Sequence, residues 1–231
     1  MDLNNKTAVI TGVSTGIGKE LVLKLLKKGV NVAGWGLHRP DFEDDHFKFY
    51  EVDIRNNTLV EDAIRKTTTD FGEEIHILIN NAGLGYFGPM EKTSIEQWSE
   101  MFETNVNGIF YTSKVVIPIM KKMGKGHILN ISSVAGLIGM PYSAGYCGTK
   151  FAVRGISHAM FKELRNDNIK VTCIYPGTTK TSFFRAVKDH NESQDMMEAQ
   201  DVAQSIINVI ETADSLLTVD LELRPMKNQA G

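Results

Sequence analysis

Apolar positions along the chain follow two rhythms. Short runs of strand length, KTAVIT (6–11), VNVAGW (30–35), FKFYEVD (47–53), IHILIN (75–80), GHILNIS (126–132), IKVTCIYP (169–176) and LLTVDLEL (216–223), alternate with longer stretches of helical period. Those stretches cover 16–28, 57–71, 94–122, about 145–166 and about 200–212. In the first of them Ile17, Leu21, Val22 and Leu25 make one apolar stripe, five charged residues from Lys19 to Lys28 lie largely off it, and Gly29 supplies a stop. Repeated strand–helix alternation predicts an α/β fold, a doubly wound parallel sheet covered by helices on both faces in three α/β/α layers.

No linker, repeat or low-complexity tract divides the 231 residues, so the chain reads as one domain over 1–231. The one interruption of the pattern is SFFRAVKDHNESQDMMEA, mixed in polarity and following a PG turn, which predicts a mobile flap at about 182–199.

Composition narrows the classes of function. A formal net charge of −3 gives no general pull toward nucleic acid or an anionic membrane, so neither is expected as a partner. The stretch MDLNNKTAVITG is not built like a secretory signal, and no apolar segment approaches membrane-spanning length. Two cysteines, Cys147 and Cys173, make no disulfide framework and no zinc-type spacing. A reducing, cytoplasmic setting and a site without metal are the expectation.

TGVSTGIG (11–18) joins the first strand to the first helix and puts Gly12, Gly16 and Gly18 at the turn. Glycine permits close backbone approach, and the free N–H groups of a helix start attract phosphate, which suits a dinucleotide pyrophosphate. GVSTG also matches the G-x-S-x-G nucleophile elbow, which would make Ser14 a hydrolase nucleophile with Asp189 and His190 as nominal partners. Against it, part of the oxyanion hole should come from an earlier strand, and only a short tail precedes this one.

Tyr146 and Lys150 stand four apart near a predicted helix start and so share a face. An ammonium beside a phenol lowers its pKa, so Tyr146 could pass a proton to a carbonyl oxygen or take one from an alcohol. Ser133, at the C-terminal end of GHILNIS, could hydrogen-bond the reacting oxygen. Taken singly, such a tyrosine–lysine pair is most often a surface feature and such a serine a turn residue. Their joint occurrence with a dinucleotide-type turn shifts the balance toward redox chemistry.

With these motifs in place, the sequence resembles the short-chain dehydrogenase/reductase family over nearly its whole length. TGVSTGIG, NNAG (80–83), TNVNG (104–108), SSVAG (132–136), YCGTK (146–150) and PGTTKT (176–181) occur in the family's order. The resemblance implies a Rossmann-type domain and a catalytic tetrad of Asn105, Ser133, Tyr146 and Lys150. Tyr146 would be the acid/base, Ser133 would orient the carbonyl, Lys150 would hold ribose and acidify the phenol, and Asn105 would support a water relay. It assigns Gly12, Ser14, Thr15, Gly16, Ile17 and Gly18 to the coenzyme at the turn. Asp53 and Ile54 fall to its adenine region, Asn81, Ala82 and Gly83 to the segment after NNAG, and Pro176, Gly177, Thr179 and Thr181 to its nicotinamide end.

Coenzyme preference is read after the second strand. Gly36 and Leu37 stand where an NAD-preferring site carries an acid, with His38 and Arg39 just beyond, which leans toward NADP(H) over NAD(H). The turn lacks the basic residue before Gly16 found in many NADP-preferring relatives. Leu84, Tyr86, Leu137, Ile138, Phe183, Phe184, Met196 and Met197 are candidate lining of a pocket for a substrate with a nonpolar portion. The reading is a carbonyl/alcohol oxidoreductase, with 3-oxoacyl-[acyl-carrier-protein] reduction as runner-up and a non-catalytic coenzyme-binding regulator more distant. The helices at 105–122 and 145–166 build homodimers or homotetramers in the family.

Overall fold

In the computed structural model, which describes residues 2–181, 183 and 196–227, the apolar runs become strands with trimmed ends and the helical periods become helices. In chain order these are β1 (Thr7–Thr11), α1 (Gly16–Leu26), β2 (Asn31–Gly36), β3 (Phe47–Glu51), α2 (Asn57–Phe71), β4 (Ile77–Asn80), α3 (Ile95–Phe102) and α4 (Gly108–Met123). They continue with β5 (Gly126–Ile131), α5 (Ala144–Leu164), β6 (Ile169–Pro176), β7 (Thr179–Lys180), β8 (Met197–Glu198), α6 (Ala199–Ile210) and β9 (Asp220–Leu223).

Seven strands form one parallel sheet in the order β3-β2-β1-β4-β5-β6-β9. Alternation along each strand splits the core in two. Ala8 and Ile10 of β1, with Ile77, Ile79 and Leu129, face Leu21, Val22 and Leu25 of α1 and Val202, Ile206 and Ile210 of α6. Val9, Ala33, Trp35, Leu78 and Ile128 face the other way, onto Val60 and Ile64 of α2 and Val116 and Met120 of α4. Each valine, leucine, isoleucine or methionine among them contributes about 1.5–3 kcal/mol when taken out of water, which fastens helices to both faces of the sheet.

Local signals set the helix ends. The Asn56 side chain accepts from the N–H groups of Thr58 and Leu59 at the start of α2, and Ser94 and Gln97 close a capping box at the start of α3. Two features depart from the expected pattern. The stretch 94–122 is not one α-helix, because Glu103–Asn107 widens into a π-turn between α3 and α4. That turn aims the Asn105 amide at the loop after β4, where Nδ2 donates to the Leu84 carbonyl at 2.8 Å and Oδ1 accepts from its N–H at 2.9 Å. A short parallel ribbon, β7 with β8, pairs Thr179 with Met197 and holds the end of the predicted flap, while 182 and 184–195 lie outside the described residues. Among the described residues no helix is long and apolar enough to cross a membrane.

Candidate active site

The strands end together, and the segments leaving their C-terminal ends line one cleft of about 720 Å³. Gly12 comes directly after β1, Leu37 after β2, Asn81 after β4, Ser132 and Ser133 after β5, and Gly177 after β6. The cleft spans β1 and β4, where the strand order reverses, the place where open α/β sheets take ligands.

At the turn the glycines are needed for steric reasons. Gly12 and Gly16 have φ of +72° and +59°, and a Cβ on Gly12 would lie 2.8 Å from the Ala82 Cα. A Cβ on Gly18 would lie 2.0 Å from the Gly12 carbonyl oxygen and 2.5 Å from Asn81 Nδ2. Asn81 explains the proximity, since its Nδ2 donates to the carbonyls of Thr11 and Gly12 at 3.0 and 2.9 Å. Its side chain is thus a brace beneath the turn, while Ser14, Thr15, Gly16, Ile17, Ala82 and Gly83 face the cleft.

Beyond the turn, Gly36, Leu37 and His38 line the far end. Arg39 does not join them: its guanidinium faces Glu43 at 3.6 Å, and its side chain is 62% exposed. Arg39, expected at the coenzyme, thus does not line the cleft in this geometry, whereas its neighbour His38 does. Asp53 and Ile54 do line this end. The Asp53 carboxylate is gripped by Arg55, whose Nη2 lies 2.7 Å from Oδ2, and that hydrogen bond holds the carboxyl below its ordinary range.

Tyr146, Ser133 and Lys150 meet at the other end. Tyr146 sits on the first turn of α5 and is buried against Met101, Ala135 and Cys147. Burial pushes its phenol up to about 12, with the Ser133 hydroxyl pulling it partly back. Ser133 Oγ accepts from the Ala135 N–H at 3.1 Å and reaches the Pro176 carbonyl at 3.4 Å. Lys150 is 5% exposed, and burial lowers its ammonium to about 8. Its Nζ donates to the Ile131 carbonyl at 2.9 Å. The expected acidification of Tyr146 by Lys150 is thus not what the site displays, because burial acts on both groups and disfavours the charged form of each. Asn105 is committed to Leu84 and, through Nδ2 at 3.0 Å, to Thr149 Oγ1, so its amide fixes the loop beside Lys150.

An aromatic cluster closes this end. The ring centroids of Phe87 and Phe183 lie 5.4 and 5.5 Å from that of Tyr146. Of the proposed apolar lining, Leu84, Ile138 and Phe183 face the cleft. Tyr86 turns away to donate its hydroxyl to Glu100, Leu137 packs beside Ile109 and Val153, Met196 is buried, and Met197 packs on the core between α1 and α6. Phe184, with Asp189 and His190 of the hydrolase alternative, lies outside the described residues. Pro176, Gly177, Thr179 and Thr181 line the wall, and Thr179 Oγ1 donates to the Gly177 carbonyl at 2.9 Å. Sequence reading misses Phe87, Met140, Arg55, Glu100 and Arg224, all of which line the cleft. Only Phe87 carries a local signal, lying four residues beyond NNAG.

The cleft fits a dinucleotide on its own features. The glycines let the turn pack tightly on Ala82 and Asn81, which leaves Gly12, Ser14, Thr15, Gly16 and Ile17 on the cleft wall at the start of α1, and among the described residues the buried Thr104 hydroxyl, which lines the cleft, has no hydrogen-bond partner.

Comparison with known proteins agrees. Residues 6–192 match the family model for short chain dehydrogenase. An uncharacterised oxidoreductase of Staphylococcus saprophyticus is 35% identical over 85% of this chain and 83% of its own. A 3-oxoacyl-[acyl-carrier-protein] reductase of Chlamydia muridarum is 33% identical over 83% and 81%. Among solved structures, the closed form of a serine dehydrogenase complexed with NADP+ superposes with a TM-score of 0.90 at 27% identity, covering 97% of each chain.

Proposed function

The chain belongs to the short-chain dehydrogenase family, and we propose that it reduces a small carbonyl compound carrying an apolar portion, using NADPH in preference to NADH. One observation carries the reading: the glycine cradle and the Ser133, Tyr146, Lys150 group open on the same continuous cleft. A nicotinamide coenzyme supplies the hydride when bound. The chain's own part is to hold and protonate. Gly12, Ser14, Thr15, Gly16 and Ile17 would hold the pyrophosphate, with Gly18 packed behind them against the Gly12 carbonyl, and Asp53, Ile54, Asn81, Ala82 and Gly83 would flank the adenosine half and its junction. Pro176, Gly177, Thr179 and Thr181 would flank the nicotinamide.

Tyr146 gives its phenolic proton to the carbonyl oxygen while Ser133 hydrogen-bonds the same oxygen. Burial pushes the phenol up to about 12, so at neutral pH it carries the proton that this step donates. Lys150, whose Nζ lies close to Gly83, would meet a ribose hydroxyl, which would link it to Tyr146. Asn105 acts through the loop it fixes.

The preference for NADPH rests on the absence of a carboxylate among the residues that line the cleft after β2, and on His38, whose ring suits a phosphate better than a ribose hydroxyl. The NADP+ held by the serine dehydrogenase relative is in keeping with it. Leu84, Phe87, Ile138, Met140 and Phe183 support an apolar substrate portion.

A 3-oxoacyl thioester is the second reading, favoured by the Chlamydia muridarum relative. Subunit contact through α4 and α5 is supported by the exposed Phe110 and Phe151 and is read by light scattering. The buried free thiols Cys147 and Cys173 suit the cytoplasm. Steady-state NADPH oxidation against ketones, aldehydes, 3-oxo esters and an acyl-carrier-protein thioester tests the activity. Turnover of free ketones supports the first reading, thioester-only turnover replaces it with the second, and no turnover overturns both.

A further inference from the structure

We propose that Glu100 is a positioning residue, which ties the loop carrying Phe87 to the Asp53 end of the cleft and so sets the shape of the carbonyl site from the far side. The proposal rests on the oxidoreductase reading.

Three segments remote in sequence meet at this carboxylate. Arg55, just after β3, lays its guanidinium on Asp53 with Nε at 2.9 and 3.0 Å from the two carboxylate oxygens and Nη2 at 2.7 Å from Oδ2. Its remaining Nη1 donates to Glu100 Oε1 on α3 at 2.9 Å. The other Glu100 oxygen accepts the Tyr86 hydroxyl at 2.6 Å. Tyr86 is also held at its backbone, where N–H meets the Met101 Sδ at 3.4 Å. Both ends of residue 86 are therefore fastened to α3, and the next residue, Phe87, sets its ring against Tyr146 at 5.4 Å between centroids. The wiring runs Asp53, Arg55, Glu100, Tyr86, then by one peptide to the ring that braces the proton donor.

The competing account is a surface ion pair that contributes little. Asp53, Arg55 and Glu100 keep 28%, 33% and 35% of their side-chain surface exposed, so their attraction is screened and gives no large stability term. Geometry distinguishes the two accounts. A guanidinium held flat by a forked pair fixes direction as well as distance, and a tyrosine hydroxyl accepted by the same carboxylate passes that direction to the loop. Removing a stability ornament changes a melting temperature. Removing a positioning link changes the ketone KM.

The test compares Tyr86→Phe, Glu100→Gln, the double variant and Arg55→Met for ketone KM, kcat and NADPH Kd, with thermal melts alongside. The expected result is a ketone KM raised about fivefold by Tyr86→Phe with kcat changed less than about twofold, the size one lost hydrogen bond produces. Glu100→Gln, whose amide can still bond the Tyr86 hydroxyl but loses the charged pairing with Arg55, should raise the ketone KM by as much or less, and the double variant should be no worse than Tyr86→Phe alone, because both act along one chain of contacts. Arg55→Met should raise the ketone KM although the arginine lies at the coenzyme's far end. Tyr86→Phe removes a single oxygen atom and keeps the ring, so it reports even if Glu100→Gln folds poorly. A ketone KM within about twofold of wild type in Tyr86→Phe overturns the proposal, as do additive effects in the double variant. A wild-type chain that turns over no carbonyl overturns both this and the reading beneath it.

Discussion

Lys150 directs its ammonium to the Ile131 carbonyl oxygen at 2.9 Å, while its Nζ lies 5.7 Å from the centroid of the Tyr146 ring one helical turn earlier. The two groups share a helix face as their spacing requires, yet the lysine is tied to the end of β5. Both are buried, and burial keeps the phenol protonated and makes the ammonium easier to deprotonate.

The buried ammonium has a signature in stability. Its pKa falls from an ordinary 10.5 to about 8, so the folded chain binds this proton less tightly than the unfolded one. The charge costs stability below about pH 8, and the cost fades as pH rises from about 8 to 10.5. Lys150→Met should therefore melt higher, relative to wild type, at pH 7 than at pH 10. A melting difference that is flat or grows across that window contradicts the assigned burial. The same variant should lose turnover by at least about a hundredfold.

Gly18→Ala should break the cradle. Its new carbon would stand 2.0 Å from a backbone oxygen, which no side-chain rotation relieves. We expect a loss of about 1–3 kcal/mol in denaturant unfolding and a coenzyme Kd raised at least about tenfold. Gly139→Ala, where a Cβ meets nothing within 4 Å, is the matched control and should leave both unchanged.

The proposed coenzyme preference is tested at the residue after β2. Leu37 is 53% exposed and stands at the lip of the cleft. Leu37→Asp puts a carboxylate there that repels a phosphate and accepts from a ribose, and it should move the ratio of Kd values toward NADH by at least about tenfold. An unchanged ratio in equilibrium binding removes the basis for the NADPH assignment.

Ile138 and Met140 line the cleft and keep 48% and 37% of their surface exposed, so they are free to cover an apolar substrate portion. Across a series of straight-chain 2-ketones, kcat/KM should climb about threefold or more with each added methylene until the wall is filled, since burying one is worth about 0.8 kcal/mol. Ile138→Ser should flatten that climb. A series with no length dependence in wild type rules out the apolar wall.

Much of this is legible in the sequence alone. Strand and helix periods yield the layers because burial on both sheet faces imposes alternation that single residues cannot hide, and Tyr146 and Lys150 can be paired because four residues make one turn. What stays hidden is long-range. Asn105 at a π-turn, Asn81 beneath the glycines, Phe87 against Tyr146, and Arg55 with Glu100 each act through a partner at least 21 positions away, which no local pattern encodes. The direction of the Tyr146 shift escapes the sequence for a related reason: spacing reports that two groups are neighbours, and only burial decides which charged form survives.

Central to this account is the proposal that Tyr146 supplies the proton in a carbonyl reduction whose hydride comes from a nicotinamide coenzyme. Tyr146→Phe keeps the ring that Phe87 and Phe183 pack against and removes only the hydroxyl. The most direct measurement is NADPH oxidation by this variant with a ketone the wild type accepts, with NADPH Kd determined on the same preparations. We predict a rate lowered about 100- to 10,000-fold with a Kd within about twofold of wild type. A variant that binds NADPH equally and reduces the ketone at the wild-type rate contradicts the account.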